Sequence, residues 1–560
     1  MITFSHDPRV AEQQMHAVIY YLTAFGYIDG DFDTNEKQYI RDHIGKLVEM
    51  RASGAFDDDE VAAKRDVVTR WTKHFHEVLD EIDGSIRSHF SESVAEGEDT
   101  RQFVLAKLKL RCFEIFRQLD EGNRASLLGA VDELMMADGV VHPNERRFRD
   151  ELGALLAAPV ELDEAEIETL DEGAVVVTEP RPMVLKQDNH PFFAQFEWDY
   201  AADAGTVAQQ TQRDMQLVDR MVARLGEQRR AGAGKLAGRQ DVSEFAGEKP
   251  FLDGHVYVHP TEPGRDYELL VLGDLHGCYT CLKAALLQAD FFAKVQAHHD
   301  DPTKPDMKLV LLGDYIDRGR YSYNGVLRTV MQLFLTVPDH VYALRGNHEY
   351  YIEHNGRVYG GVRPAEAINS LQTLAPREVF VKYMNFFEQL PNMLLFDRTI
   401  FVHAGIPRDD TLASKWTGLE SLNDSEIRFQ MLWSDPSEAE FIPLELQRSN
   451  ARFPFGRRQF KSFLSRVGCT TMVRGHERVV EGFRKVYDDD DGRLFIVFSA
   501  GGATNQDLPA NSNYREVRPM ALSVRHRDGI TQYTPFAIDY ARFNDPRTNA
   551  FFRERLASAP

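Results

Sequence analysis

The sequence is short of cysteine, of basic residues and of long apolar runs, and each shortage excludes a class of protein. Four cysteines in 560 residues, Cys112, Cys278, Cys281 and Cys469, are too few for a disulfide framework and favour a reducing cytoplasm. The 65 basic residues against 87 acidic ones give a net charge of −22, which disfavours nucleic-acid binding. No stretch reaches the about 18 uncharged apolar residues of a membrane span, and the first residues lack a secretory pattern. We therefore expect a cytoplasmic protein without a membrane span.

The chain nevertheless has ample material for packed cores. Apolar residues make up 43% of its 560 residues, and 36 phenylalanines and 20 tyrosines are among them. At about 150 residues per domain, this length predicts several globular domains and excludes wholesale disorder.

Residues 1–158 are predicted to be helical. Apolar residues recur there at spacings of three and four, and proline is nearly absent between Pro8 and Pro143. Two segments in this region, 24–48 and 133–156, resemble each other, because each has an Asp-Gly pair followed by a Glu seven residues after the Asp. The residues of the repeat are Asp29, Gly30 and Glu36 in the first segment, and Asp138, Gly139 and Glu145 in the second. A duplicated helical hairpin is the economical interpretation.

These two segments resemble the TerB-like family of tellurite-resistance proteins, which are small all-helical domains with a repeated Asp-Gly signature. The resemblance implies a bacterial stress-response protein that binds metal through acidic residues, or binds a stress-response partner. The alternative is that Asp29, Glu36, Asp138 and Glu145 only form turns and helix caps. The net charge of −11 over residues 1–160 suits a cation-binding or partner-binding surface, but a solvated face would look the same.

Residues 159–250 are predicted to be a connector. Acidic residues dominate its start, and Pro180, Pro182 and Pro191 interrupt any long element. Apolar residues at spacings of three and four then predict one amphipathic helix over about 203–230, and a glycine-rich stretch at 231–238 follows it.

After residue 255 the pattern becomes alternating strand and helix, and five apolar runs end in residues that bind metals. The motifs are GDLHG at 273–277, GDYIDRG at 313–319, GNHE at 346–349, HAG at 403–405 and RGHE at 474–477. An apolar run followed by a glycine and a ligand places the side chain on a tight turn at the carboxyl end of a strand. Sites form at this edge of open α/β sheets.

The residue types at these five places are informative in themselves. Asp, Asn and His without a thiolate suit Mn, Fe or Zn ions, with manganese expected first, and there are enough of them for two. Two neighbouring cations can hold a bridging hydroxide and clamp phosphate oxygens. The pattern indicates metal-dependent hydrolysis of a phosphoester.

The ordered set of motifs, with LWSDP at 432–436, resembles the phosphoprotein phosphatase family of metallophosphatases over residues 255–525. The resemblance implies a calcineurin-like β-sandwich flanked by helices, an α/β fold. It also implies metal ligands, which would be Asp274, His276, Asp314 as the bridge, Asn347, His403 and His476. His348 would be the general acid, with Asp317 orienting it, and Arg318 would bind phosphate.

The sequence departs from the family in two places. The stretch QRSNARFPFG at 447–456 lacks one glycine of the expected motif, so we expect the second phosphate-binding arginine to be Arg452, with Arg448 as the alternate. Substrate contacts are thus expected from Arg318, Asn347 and Arg452. The chain also has SAGGATN at 499–505 in place of the family's aromatic segment, and Tyr514 can only be suggested for that role.

The sequence analysis therefore predicts four parts. These are a TerB-like helical domain at 1–158, a connector at 159–250, a metallophosphatase domain at 251–540 and a tail at 541–560. The expected activity is hydrolysis of phosphoserine or phosphothreonine in proteins, regulated or targeted by the helical domain. One alternative is a dinucleoside polyphosphate hydrolase, and another is a stress-response scaffold in which the helical domain is the binding module.

Overall fold

The computed structural model describes residues 4–5, 7–28, 32–53, 61–119, 121–135, 143–157, 175–201 and 203–553. The chain divides into two compact units. The first unit is Met1–Asp163 with Glu445–Asn450, and the second unit is Glu164–Leu444 with Ala451–Pro560. The two Asp-Gly pairs at 29–30 and 138–139, on which the TerB-like resemblance depends, lie outside the described residues.

The first unit is helical, as predicted. Its elements are α1 (Pro8–Gly26), α2 (Thr34–Ser53), α3 (Val61–His89), a short β1 (Val94–Ala95), α4 (Thr100–Gln118), α5 (Glu121–Met135) and α6 (Pro143–Ala157). Asp7 caps α1, since its carboxylate accepts the backbone N–H groups of Arg9 and Val10, and Pro8 takes the first helical position. Glu36 and Asp33 each accept the other's backbone N–H, at 2.9 and 2.8 Å, which is the arrangement of a capping box.

The second unit contains the other strands and most of the remaining helices. The strands are β2 (Val175–Val177), β3 (Phe251–Asp253), β4 (Val256–His259), β5 (Tyr267–Leu272), β6 (Asp306–Leu311), β7 (Val341–Ala343), β8 (Tyr351–His354), β9 (Arg357–Gly360), β10 (Val362–Arg363), β11 (Met393–Phe396), β12 (Thr399–Val402), β13 (Asp435–Pro436), β14 (Pro454–Phe455), β15 (Thr471–Arg474), β16 (Phe483–Asp489), β17 (Gly492–Val497), β18 (Met520–Arg527) and β19 (Ile530–Ala537). The helices are α7 (Pro191–Ala194), α8 (Ala204–Gly232), α9 (Tyr279–Gln288), α10 (Phe291–Asp300), α11 (Arg328–Thr336), α12 (Glu366–Leu371), α13 (Arg377–Gln389), α14 (Asp409–Lys415), α15 (Ser425–Gln430) and α17 (Arg457–Val467). The short helix α16 (Leu444–Gln447) lies mostly in the segment Glu445–Asn450 of the first unit.

Two sheets form the centre of the second unit. One has the strand order β2-β19-β18-β5-β6-β7, and the other has the order β16-β17-β15-β12-β11-β4-β3. Their facing side chains form a common core: the rings of Tyr267 and Phe396 lie 5.6 Å apart, and the hydroxyls of Thr399 and Tyr533 are hydrogen-bonded at 2.5 Å. Strands β5 and β6, which carry the first two motifs, are inside their sheet and buried, which explains their continuous apolar runs. The predicted sandwich with helices is confirmed for this part of the chain.

The segment predicted as a connector contributes to the second unit. Its strand β2 extends a sheet by pairing with β19, and its predicted helix is α8. Asp214 on α8 accepts two hydrogen bonds from the guanidinium of Arg328, at 2.8 and 3.0 Å, and both side chains are about 1% exposed. The ring of Trp198 covers the same guanidinium at 3.3 Å. A buried ion pair thus joins this segment to the start of α11.

Replacing Asp214 by Ala is expected to lower the free energy of unfolding by about 3–5 kcal/mol, because the guanidinium of Arg328 would stay buried without its charge partner. Denaturant unfolding of the full chain measures this. The matched control is Asp219→Ala on the same helix, since Asp219 pairs with Lys382 in solvent, and its loss should cost about 1 kcal/mol or less. Equal costs for the two variants would contradict the prediction.

The four cysteines are free and buried, which agrees with the predicted lack of a disulfide framework. Burial raises the pKa of Cys278 well above its ordinary value, so this thiol is not activated although it stands at the start of α9. In the described ranges, no helix has the length and the apolar character needed to cross a membrane.

Candidate metal centre and catalytic pocket

The motif side chains follow the carboxyl ends of five strands, as the sequence predicts. Strand β5 is followed by Asp274 and His276, β6 by Asp314, Asp317 and Arg318, β7 by Asn347 and His348, β12 by His403, and β15 by His476. Glycines let the turns approach one another: a Cβ on Gly313 would stand 2.2 Å from the backbone nitrogen of Gly346, and one on Gly346 would stand 2.2 Å from that of Asp314. The two glycines therefore fix how closely the β6 and β7 turns meet.

Several site residues have a left-handed backbone although they are not glycine. Their φ angles are 41° for His276, 53° for Asp314, 67° for Asp317, 65° for Arg318 and 70° for His476. Such conformations cost about 1–3 kcal/mol each and persist where the surroundings hold them. Glu349 helps to stabilise these turns, because its buried carboxylate accepts hydrogen bonds from the backbone N–H groups of Asp314, Tyr315 and Gly346 at 2.8 to 3.0 Å. Glu349 thus supports the loop and is not itself a predicted metal ligand.

Asp314 lies at the centre of the site. Its Oδ2 is 3.5 Å from Nε2 of His276, and its Oδ1 is 3.4 Å from Nε2 of His403. Asp274 contributes an oxygen 3.6 Å from the same His276 nitrogen. Nδ1 of His476 lies 3.2 Å from Nε2 of His403, which brings the last predicted ligand to the group. Backbone carbonyls orient two of the rings, since Nδ1 of His276 lies 2.9 Å from a carbonyl oxygen and Nδ1 of His403 lies 3.0 Å from another.

Asn347 joins this group through its side-chain amide. Oδ1 of Asn347 lies 3.0 Å from Nε2 of His403, so the amide oxygen, which is the atom able to bind a metal, faces the other donors. All six predicted ligands are therefore close together and buried.

The donor set fits divalent cations. Oδ2 of Asp274 and Nε2 of His476 are buried, and neither has a hydrogen-bond partner among the residues that the structure describes. Burial, together with Asp274 and Glu349, raises the pKa of Asp314 well above its ordinary value, so a nearby cation would relieve the repulsion. Burial also lowers the pKa of His403 to about 4, and the neutral ring has a lone pair for a metal.

Two groups of three donors meet the spacing of a metal site here. They are His276, Asp314 and His348, and Asp274, Asp314 and His403. Asp314 is common to both, which is the position of the expected bridging ligand.

His348 and Asp317 form a buried pair beside this centre. Nδ1 of His348 lies 2.6 Å from Oδ2 of Asp317, and Nε2 of His348 lies 3.9 Å from Oδ2 of Asp314. The other oxygen of Asp317 accepts the backbone N–H of Ala367 at 2.7 Å, which fixes the carboxylate. Burial lowers the pKa of His348 and raises the pKa of Asp317 to about 6. The pair is thus held in one orientation, with Nε2 of His348 toward the metal ligands.

Three charged residues that the sequence analysis did not assign also surround the site. Glu366 accepts a hydrogen bond from the Arg318 guanidinium at 2.9 Å. Asp435 accepts from Nε of Arg452 at 2.5 Å and from Arg474 at 2.8 Å. The motifs LWSDP and RGHE, which contain Asp435 and Arg474, could have pointed to these two residues. Glu366 lies in no motif.

The structure also locates the residues whose roles the sequence left open. Arg452 belongs to the second unit with the metal ligands, whereas Arg448 belongs to the segment Glu445–Asn450 of the first unit. Next to the GNHE motif, Arg345 supports the loop from behind, because its Nε donates to the backbone carbonyl of Glu349 at 2.9 Å. The ring of Tyr514 lies 5.4 Å from that of His276, so an aromatic side chain does stand beside the centre.

Comparisons with known proteins agree with this geometry. Residues 267–479 match the calcineurin-like phosphoesterase family. A protein named "Probable serine/threonine-protein phosphatase" from Encephalitozoon cuniculi is 27% identical over 258 residues, covering 45% of this chain and 50% of that protein. The serine/threonine-protein phosphatase 6 catalytic subunit of Caenorhabditis elegans is 29% identical over 238 residues, covering 41% of this chain and 63% of that protein.

A solved protein serine/threonine phosphatase of Saccharomyces cerevisiae is similar at 16% identity, with a TM-score of 0.36, over 58% of this chain and 89% of its own. This likeness is too low to carry an argument. The chain spans between half and two thirds of the length of the first two curated relatives.

The carboxy-terminal half of the chain thus contains a calcineurin-like metallophosphoesterase domain. The curated relatives that this half resembles are named serine/threonine phosphatases.

Proposed function

We propose that the second unit hydrolyses phosphomonoesters with two divalent cations, and that its substrates are phosphoserine and phosphothreonine residues in proteins. The observation that carries the proposal is Asp314, buried and common to two groups of metal-binding side chains. The similarity of residues in this half to serine/threonine phosphatases supports the choice of substrate.

The residues divide into metal ligands and groups that act on the substrate. Asp274, His276 and Asp314 would hold one ion, and Asn347, His403 and His476 would hold the second with Asp314 shared. We propose Mn²⁺ as the ion, with Fe or Zn as alternatives. When bound, such ions activate water and neutralise the charge of the phosphate oxygens.

The other side chains would bind the substrate and move the proton. The guanidinium groups of Arg318 and Arg452 would bind phosphate oxygens, since planar donors suit them. Asn347 would add a contact to the substrate through its amide. His348 would donate the proton at Nε2 to the leaving serine or threonine oxygen, and Asp317 would hold the imidazolium through Nδ1.

The test removes metal from the purified chain, restores Mn²⁺, Fe²⁺, Zn²⁺ or Mg²⁺, and offers four substrates. These are a phosphoserine peptide, an aryl phosphomonoester, a phosphodiester and a dinucleoside tetraphosphate. We expect metal-dependent cleavage of the first two. Preference for the dinucleotide would instead assign the chain to the alternative of a dinucleoside polyphosphate hydrolase, and inactivity toward all four with metal bound would favour the scaffold.

Replacing Glu366 by Gln is expected to lower the KM for the phosphopeptide about two- to fivefold at low salt. A change of this size corresponds to the free energy that an ion pair near the protein surface contributes. The carboxylate of Glu366, about half exposed, would otherwise compete with phosphate for Arg318. Steady-state kinetics measure the change, which should shrink in high salt. Glu353→Gln, which removes a similar pair with Arg377, is the control and should leave KM unchanged.

We also propose that the first unit is TerB-like and that it regulates or targets the phosphatase within a bacterial stress-response system. Support comes from the helix pairs α1–α2 and α5–α6, which flank the two Asp-Gly segments, and from the net charge of −11. A cytoplasmic location is proposed because the four thiols are free.

Deletion of the first unit tests the regulatory role. The shortened chain should begin at residue 164, because a start near 240 would remove β2 and α8 and leave Arg328 unpaired. Higher activity on every substrate would indicate inhibition by the first unit, and a loss confined to phosphoproteins would indicate targeting. Unchanged kinetics on both kinds of substrate would overturn the proposal.

A further inference from the structure

A second cluster of metal-binding side chains lies in the first unit, apart from the catalytic pocket. Glu12 and His16 stand one helical turn apart on α1, and His74 lies on α3. Oε1 of Glu12 is 3.2 Å from Nε2 of His74, and one donor atom from each of the three residues lies within 4.8 Å of the others. Residues at i and i+4 share a helix face, so both α1 donors point to the same side.

Aromatic side chains contact both imidazoles. Phe75 is buried, and its ring stands edge-on to that of His16 at 6.1 Å between centroids. Trp71 stacks on Phe75 at 5.5 Å and meets His74 edge-on at 5.4 Å. The aromatic rings thus border one side of the cluster, while His16 is exposed and the side chains of Glu12 and His74 remain about 40% exposed.

We propose that Glu12, His16 and His74 bind a Zn²⁺ ion that joins helix α1 to helix α3. Two imidazoles and one carboxylate are a common zinc ligand set, and the open side leaves the fourth position to water.

Equilibrium dialysis of the full chain against Zn²⁺, with elemental analysis, tests the site. Asp314→Asn serves as the background, so that the catalytic pocket contributes less metal to the count. Adding His16→Gln or His74→Gln is expected to remove one bound Zn²⁺ per chain, or to lower the affinity for that ion by much more than about 100-fold. Loss of a residue that only supports a metal ligand lowers the affinity by about 10–100-fold. The matched control is His76→Gln on the same helix, whose ring bonds a backbone carbonyl instead, and it should keep the ion.

A second measurement separates loss of the site from loss of the fold. In the Asp314→Asn background, Co²⁺ bound beside Trp71 should quench part of the tryptophan fluorescence. That part should be lost both in Trp71→Phe and in His74→Gln while the far-ultraviolet circular dichroism stays the same. Trp433, whose ring lies 6.1 Å from that of His476, reports separately on the catalytic pocket. In the chain with Asp314 intact, His74→Gln should leave the phosphatase activity unchanged. A negative result for the zinc site can therefore be distinguished from a negative result for the proposed catalysis. Equal zinc binding by the His16, His74 and His76 variants would overturn the proposal.

Discussion

Asp314→Asn should reduce phosphatase activity by about 10³-fold or more, because loss of one charge-stabilising group in an enzyme site already costs about 10²–10³-fold. Asp314 is the residue that both groups of donors share, and an amide removes its negative charge without changing its shape. Metal analysis of the variant should show reduced occupancy. Asn can still accept the backbone N–H of His348 through Oδ1, the bond that Asp314 makes at 3.0 Å, so the loop should keep its conformation.

The same substitution should stabilise the metal-free chain. Burial and the neighbouring carboxylates raise the pKa of Asp314 in the folded protein, so ionisation favours the unfolded chain as the pH rises past the ordinary value of Asp. A neutral Asn escapes this penalty, and its advantage should vanish in acid, where Asp314 is protonated anyway. Thermal unfolding in chelator at several pH values measures the effect.

Asp306→Asn is the matched control for Asp314→Asn. Asp306 is also a buried aspartate of the β6 region, but it pairs with Arg265 and Lys308 at 2.8 and 3.0 Å. Its substitution should lower stability and leave the metal content unchanged. If Asp314→Asn kept full metal content and activity, the assignment of the centre would be wrong.

The metal ligands could be predicted from the sequence because each follows its own strand within a few residues. A short apolar run and a glycine specify where such a side chain leaves the sheet, so Asp274 and His403 come together although 129 positions separate them. Glu366 lies on a helix start with no such local signal, and only the folded chain brings it to Arg318.

The connector shows the same limit. Apolar spacing predicted α8, but not that Asp214 pairs with Arg328, 114 residues away. Long-range ion pairs leave no periodic pattern, and a segment whose partners are distant in sequence is easily taken for a linker.

His348→Asn should lower kcat for the phosphoserine peptide by about 10²–10⁴-fold, the usual contribution of a general acid, while metal content stays the same. The physical reason is that an alkoxide is a poor leaving group and needs a proton from Nε2. An aryl phosphomonoester leaves as a more stable anion, so the loss with that substrate should be much smaller. An equal loss with both substrates would contradict the general-acid role and indicate that His348 holds metal, which its place in one of the donor groups would permit.

Asp317→Asn distinguishes the orienting role from the acid itself. Wild-type activity should fall as the pH drops through about 6, because burial raises the pKa of Asp317 to that value and the protonated carboxyl no longer stabilises the imidazolium. The variant should have low kcat and lack this acid limb, since Asn does not titrate. Rescue by Asp317→Glu would be incomplete, because the longer side chain would have to keep both the 2.6 Å contact with His348 and the bond from Ala367. A variant that kept the wild-type pH profile would place the titrating group elsewhere and leave Asp317 a purely structural role.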